Sequence, residues 1–166
     1  MGNMKITREE FFDIIEIYLK DHLIETERGL QGFGSTGKDI NAETIDNYIK
    51  DNIEESKLIN LIDKYSTEKG IKKDSEIYNK ARITKQLFYK IRNGMPVNKR
   101  TIISIALALE LSLSEAEKFL QVGGYSFSPT SEFDLIMQCC FEKGYYDIIS
   151  IDEVLHKKNI PTFSPA

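Results

Sequence analysis

The sequence has only two cysteines, two histidines and four prolines, and it contains no long uncharged apolar run. Cys139 and Cys140 are chain neighbours in an apolar stretch. Adjacent cysteines cannot form an ordinary disulfide, so two buried, unbridged thiols are expected. His22 and His156 stand far apart, and no cysteine or histidine spacing matches a zinc or haem site. No metal and no cofactor is therefore expected. A membrane span needs roughly 20 consecutive apolar residues, and no such run occurs. The start MGNMKITREEFF is charged within a few residues and lacks a signal-peptide core. Ile6 also stands where a myristoylation site requires Ser or Thr. These absences predict no membrane association and a cytoplasmic location. Period-two alternation is scarce too, so strands are not expected.

What remains is the composition of a soluble globular chain: 166 residues, 41% hydrophobic and 29% charged. That length suits one domain, or one domain with a small appendage, and it allows a sizeable core. A net charge of −4 argues against indiscriminate coating of nucleic acid. Its distribution is uneven. Residues 70–100 carry nine Lys/Arg against two acids, whereas residues 1–69 carry fifteen acids against nine cations. Residues 101–166 carry nine acids against four cations.

Helical signals run along the whole chain. Thr7-Arg8-Glu9-Glu10 is a capping box ahead of Phe11, Ile14, Ile15, Tyr18, Leu19, His22 and Leu23. The spacing predicts a helix to about residue 24, with His22 partly buried on its apolar side. The loop 29–38, GLQGFGSTGK, contains G-x-G-x-x-G and most of a phosphate-binding loop. That chemistry needs a preceding strand and a Ser or Thr after the lysine, but a helix precedes here and Asp39 follows Lys38. A flexible linker that binds no nucleotide is predicted. Asn41 caps a helix carrying Ile45, Tyr48, Ile49 and Ile53, and Ser56 opens another carrying Leu58, Ile59, Leu61, Ile62 and Tyr65. Asn98 caps the apolar KRTIISIALALEL, whose Ala106, Ala108 and Leu109 are predicted core residues. Ser114 starts the next helix, which Gly123-Gly124 ends, and further helices follow over 131–141 and 147–158.

The basic segment holds the most informative stretch, DSEIYNKARITKQLFYKIRNG at 74–94. Ile77 and Ala81 lie four apart on one helical face. Thr84 then precedes a second rhythm of Leu87, Phe88 and Ile91, where it can cap a helix that Asn93-Gly94 and Pro96 close. Lys85, Gln86, Tyr89, Lys90 and Arg92 point outward from this second helix. Amide and cationic side chains on one short helix suit the base edges and phosphates of a major groove.

Read from Lys57 to about Leu120, the chain resembles the lambda-repressor-like (XRE-type) helix-turn-helix family. The resemblance rests on Ile83-Thr84, Phe88, Ile91, Asn93-Gly94, Pro96, the helix 99–111 and the Leu-Ser-Leu-Ser-Glu-Ala-Glu pattern at 111–117. It implies an all-α helix-turn-helix bundle over 56–166 with additional C-terminal helices, preceded by an N-terminal helical segment at 1–55. Stretches such as GGYSFSPTSEFDLI are also similar to a bacterial helical module that occurs downstream of macro domains. The first fifty-odd residues match neither. Residue by residue, the helix-turn-helix resemblance implies base contacts from Lys85, Gln86 and Lys90, and phosphate contact from Asn93. Arg82, Arg92, Lys99 and Arg100 join the phosphate set by charge. Two positions depart from the family pattern. Arg82 replaces the turn glycine, where a left-handed conformation costs about 1 kcal/mol. Tyr78 replaces a small residue at the helix contact and is expected to push the helices apart.

The leading expectation is a non-enzymatic transcription regulator that binds double-stranded DNA as a homodimer. The alternative is a protein-interaction adaptor or inhibitor on the same scaffold, encoded by a mobile element, with Tyr89 and Phe33 as its contacts. An enzyme is not expected, because no carboxylate is paired with a histidine, a metal set or an oxyanion loop.

Overall fold

Short polar side chains start most of the described helices, each by accepting a backbone N–H left over at a helix beginning, whereas the helices that open at Leu58 and Asp74 start on lysines without a side-chain cap. The computed structural model describes residues 6–23, 41–53 and 57–164; the 29–38 loop, Phe33 and Ser56 lie outside the described residues. In α1 (Arg8–His22) the Thr7 hydroxyl accepts from Glu10 N, and the Glu10 carboxylate accepts from Thr7 N at 2.9 Å. Asn41 accepts from Thr44 N at 2.7 Å to start α2 (Ala42–Ile53). Next come α3 (Leu58–Glu68), α4 (Asp74–Lys80), α5 (Lys85–Arg92) and α6 (Lys99–Ala108), the last two capped by Thr84 and Asn98. Ser112 and Glu115 form the capping box of α7 (Leu113–Val122), so this helix begins before the predicted Ser114. Ser131 caps α8 (Glu132–Lys143) and Asp147 caps α9 (Ile148–Lys157). Every regular element among the described residues is a helix, as the sequence predicts.

The core is built around α6. Every residue from Thr101 to Leu109 is buried, and α6 packs on α4 on one side and α7 on another. The expected core residues Ala106, Ala108 and Leu109 are 1%, 3% and 0% exposed. α7 passes the packing on to α8, and α3 closes the bundle against α5 and α7. α1 lies along α8 and contributes Phe11, Ile15 and Leu19 to the same core cluster. Although the sequence places it in a segment ahead of the 56–166 domain, α1 is thus tied to the C-terminal helices. The Phe11 ring meets Tyr145 edge-on at 4.7 Å, and Lys158 pairs with Glu16. Tyr125, Phe127, Tyr145 and Tyr146 are half-buried and pack against the core. Tyr125 and Tyr146 also donate hydrogen bonds to the carbonyls of Val97 and Leu111.

His22 departs from expectation. α1 ends on it, so the ring overhangs the helix end exposed, stacked on Tyr18 at 4.0 Å with Nδ1 2.9 Å from the Tyr18 carbonyl. By contrast, α2 turns an apolar face outward, with Ile45, Tyr48 and Ile49 all exposed. No described helix is long and apolar enough to cross a membrane.

Cys139 and Cys140 are both unbridged and buried. Burial pushes the Cys139 thiol up to about 11 and the Cys140 thiol well above its ordinary value. Since the thiolate is the nucleophile, neither cysteine should react with a disulfide reagent at pH 8 until the protein unfolds. Rapid titration of even one thiol in the folded protein would show that α8 opens locally.

Candidate nucleic-acid interface

The turn between α4 and α5 closes through two backbone hydrogen bonds. Ile83 N donates to Tyr78 O at 3.1 Å, and Arg82 N donates to Asn79 O at 3.2 Å. This closure puts one residue in the left-handed region, and that residue is Arg82, at φ 56°. Glu110 and Asn159 do the same at φ 54° and 58°, so non-glycine residues are used repeatedly at the helix ends of this fold. Thr84 then starts α5, its hydroxyl accepting from Leu87 N at 3.1 Å. Met95 N donating to Lys90 O, with Gly94 at φ 76°, ends the helix.

Phe88 and Ile91 anchor α5 inward, 0% and 3% exposed. Tyr78 is accommodated at the α4–α5 contact: it is half-buried, with its ring 5.9 Å from that of Phe88. The large side chain packs, partly buried, against the hydrophobic core. With Phe88 and Ile91 inside, Lys85, Gln86, Tyr89 and Lys90 share the outer face and are all exposed. The Lys85 ammonium lies 5.6 Å from the Tyr89 ring centroid.

The nine cations of residues 70–100 are not equivalent. Arg92, expected at a phosphate, is half-buried and held by carboxylates of the fold. Its guanidinium donates to both Asp74 oxygens at 2.7 and 2.6 Å and to Asp63 at 3.1 Å, joining α5 to α4 and α3. The Asp74 hydrogen bonds raise the Arg92 pKa. Lys99 is the counter-ion of Asp134, a carboxylate only 2% exposed that also accepts from Ser128 N at 2.6 Å. Arg100 stacks 4.0 Å from the Phe133 ring centroid and donates to Pro161 O at 2.7 Å, and burial lowers its pKa. Lys80 pairs with Glu110 at 3.7 Å. Arg82 is exposed and, among the described residues, donates only to the neutral Ser164 hydroxyl, at 3.2 Å, and Asn93 is exposed at the end of α5.

The fold thus assembles Lys85, Gln86, Tyr89 and Lys90 on one helical face and assigns Arg92, Lys99 and Arg100 to structural partners. Lys72 and Lys73, just ahead of α4, are also exposed and have no carboxylate partner among the described residues. Residue-by-residue transfer missed them, although the basic count over 70–100 includes both.

Arg92 is better read as a clamp. Arg92→Ala should lower stability by about 1–2 kcal/mol, the range for a half-buried bidentate pair after allowance for solvent screening. A double-mutant cycle with Asp74→Asn isolates this coupling in thermal or urea melts. A coupling energy near zero would reduce the clamp to a surface contact. Compared with known proteins, the chain matches no protein-family model, no curated protein and no solved structure.

Proposed function

We propose that the chain is a non-enzymatic regulator that binds double-stranded DNA, with α5 entering a major groove. One observation carries the reading. Lys85, Gln86, Tyr89 and Lys90 stand together, exposed, on a capped helix and without carboxylate partners among the described residues, while neighbouring cations are consumed within the fold. The succession of helices α3 to α7, with α4 and α5 joined by a tight turn, supports it, because that order is what the lambda-repressor-like resemblance implies. In this reading Gln86, Lys85 and Lys90 meet base edges, and Arg82 and Asn93 meet phosphates. One such helix reads only a few base pairs, so useful specificity calls for a homodimer on a two-fold site. The test is fluorescence anisotropy with random and selected duplexes at two salt concentrations. Absence of salt-dependent binding by the folded protein would overturn the reading.

A second reading, a protein-interaction adaptor or inhibitor, is favoured by the exposed apolar face of α2 and by Tyr89, which is 44% exposed. Partner binding lost in Tyr89→Ala, with DNA binding absent throughout, would establish it.

A further inference from the structure

A cleft of about 820 Å³ opens between the first turns of α1, the α8–α9 turn and one side of α9. Its size lies within the range of small-molecule sites, roughly 300–1,000 Å³. The apolar wall comes from Phe11, Phe12 and Val154, with the half-buried Tyr145 ring set against Phe11.

The polar groups around the cleft divide into two sets. The acceptors are already engaged. Glu153 pairs with Arg8 at 3.1 Å, and Asp147 accepts from the Ser150 hydroxyl at 2.7 Å and from Ser150 N as the cap of α9. The Thr7 hydroxyl accepts from Glu10 N, and the nearby Glu10 carboxylate accepts from Thr7 N. What remains are donors. Lys143 and Lys157 line the cleft without a carboxylate partner among the described residues, the Lys157 ammonium lying 5.1 Å from the Phe12 ring centroid. The Tyr145 hydroxyl makes no hydrogen bond with a described residue, and burial raises its pKa, so it stays a donor at neutral pH. Among the lining residues Arg8, Lys143 and Lys157 outnumber Asp147 and Glu153, and Lys157 lies beside the aromatic wall.

We propose that this cleft binds a small aromatic carboxylate, its ring on the Phe11–Phe12–Val154 wall and its carboxylate answered by Lys143, Lys157 and the Tyr145 hydroxyl. Aromatic surface supplies the apolar contact area. The two ammonium groups supply charge-assisted hydrogen bonds that a neutral ligand of the same shape cannot use. The cleft shares no residue with α5, and the proposal rests on no part of the DNA reading.

The probe is 2-naphthoate, titrated by its own fluorescence anisotropy into the full chain, with 2-naphthalenemethanol as its neutral counterpart. Saturable binding is expected, weakened about tenfold or more in the Lys143→Met/Lys157→Met double variant and in the alcohol, as the loss of a charged contact implies. Both lysines are exposed, so the double variant should fold, and an unchanged melting curve checks this. Amide chemical-shift changes on adding naphthoate should centre on Gly144 and Tyr145. No saturation below roughly 1 mM, equal affinity for acid and alcohol, wild-type affinity in the double variant, or shifts centred elsewhere would each overturn the proposal.

Discussion

Ala106→Asp should destabilise the protein strongly at neutral pH. Ala106 is 1% exposed within the stretch 101 to 109, every residue of which is buried and none of which is basic. An aspartate there must bury a carboxylate without a counter-ion or crowd the α6 interfaces. An uncompensated buried charge costs about 3–5 kcal/mol, against a total stability of roughly 5–15 kcal/mol for a domain. For a chain of this length, that loss lowers the melting temperature by roughly 6–20 °C. The pH dependence supplies a second signature. Burial raises the folded-state pKa of the new carboxyl above its unfolded value, so the charged form disfavours folding. The penalty is therefore absent below the unfolded pKa of about 3.9 and grows as pH rises above it. Ala106→Asp should accordingly regain stability relative to the parent as pH falls towards 4, while Ala106→Asn, which carries no titratable group, should not. A melting temperature within about 2 °C of the parent at pH 7 would place α6 at the periphery, against the packing described above.

The features legible in the sequence are those set by neighbours along the chain. Thr7, Asn41, Thr84, Asn98, Ser131 and Asp147 each act on an N–H within a turn, so a residue type and a spacing of three suffice to find them. Even this signal is ambiguous where two patterns overlap: Ser112–Glu115 and Ser114–Glu117 both read as capping boxes, and the fold uses the earlier. The apolar character of α6 is likewise local, and it made the core centre plain. Which cations remain available for a ligand is not local. The partners that engage Arg92, Lys99 and Arg100 lie 18, 35 and 61 residues away along the chain, and the Ser164 hydroxyl that meets Arg82 lies 82 away. Helical periodicity says which way a lysine or arginine points from its own helix, but not what the next helix brings to meet it. Outward projection from α5 was correct for Lys85, Gln86, Tyr89 and Lys90. Arg92, at the helix end, falls within reach of α3 and α4 instead. The α1 contribution was hidden for the same reason, since Phe11 and Ile15 find their partners on helices more than a hundred residues later.

Lys90→Glu should abolish DNA binding if α5 enters a groove. At about 0.1 M salt, each phosphate-neutralising cation is worth roughly tenfold in affinity through counterion release. Lys90→Glu takes a positive charge out of the groove, with its base contact, and sets a negative one against the duplex, so a loss on the order of a hundredfold is expected on specific and random sequences alike. Gln86→Ala should behave differently, losing about 1–3 kcal/mol on the preferred site while leaving random-sequence binding nearly unchanged, because an amide reads base edges. Arg82→Ala should weaken all sequences together and reduce the salt slope by about one, since its only described polar partner is a neutral hydroxyl. None of the three side chains is buried, so their melting curves should stay close to the parent, in contrast to Arg92→Ala, which acts on the clamp. The pattern matters more than any single value. If Gln86→Ala and Lys90→Glu bind like the parent while Arg92→Ala loses binding only in step with its stability, α5 is not the reading helix. The exposed face bearing Tyr89 and the apolar face of α2 would then be the surfaces to test for a protein partner.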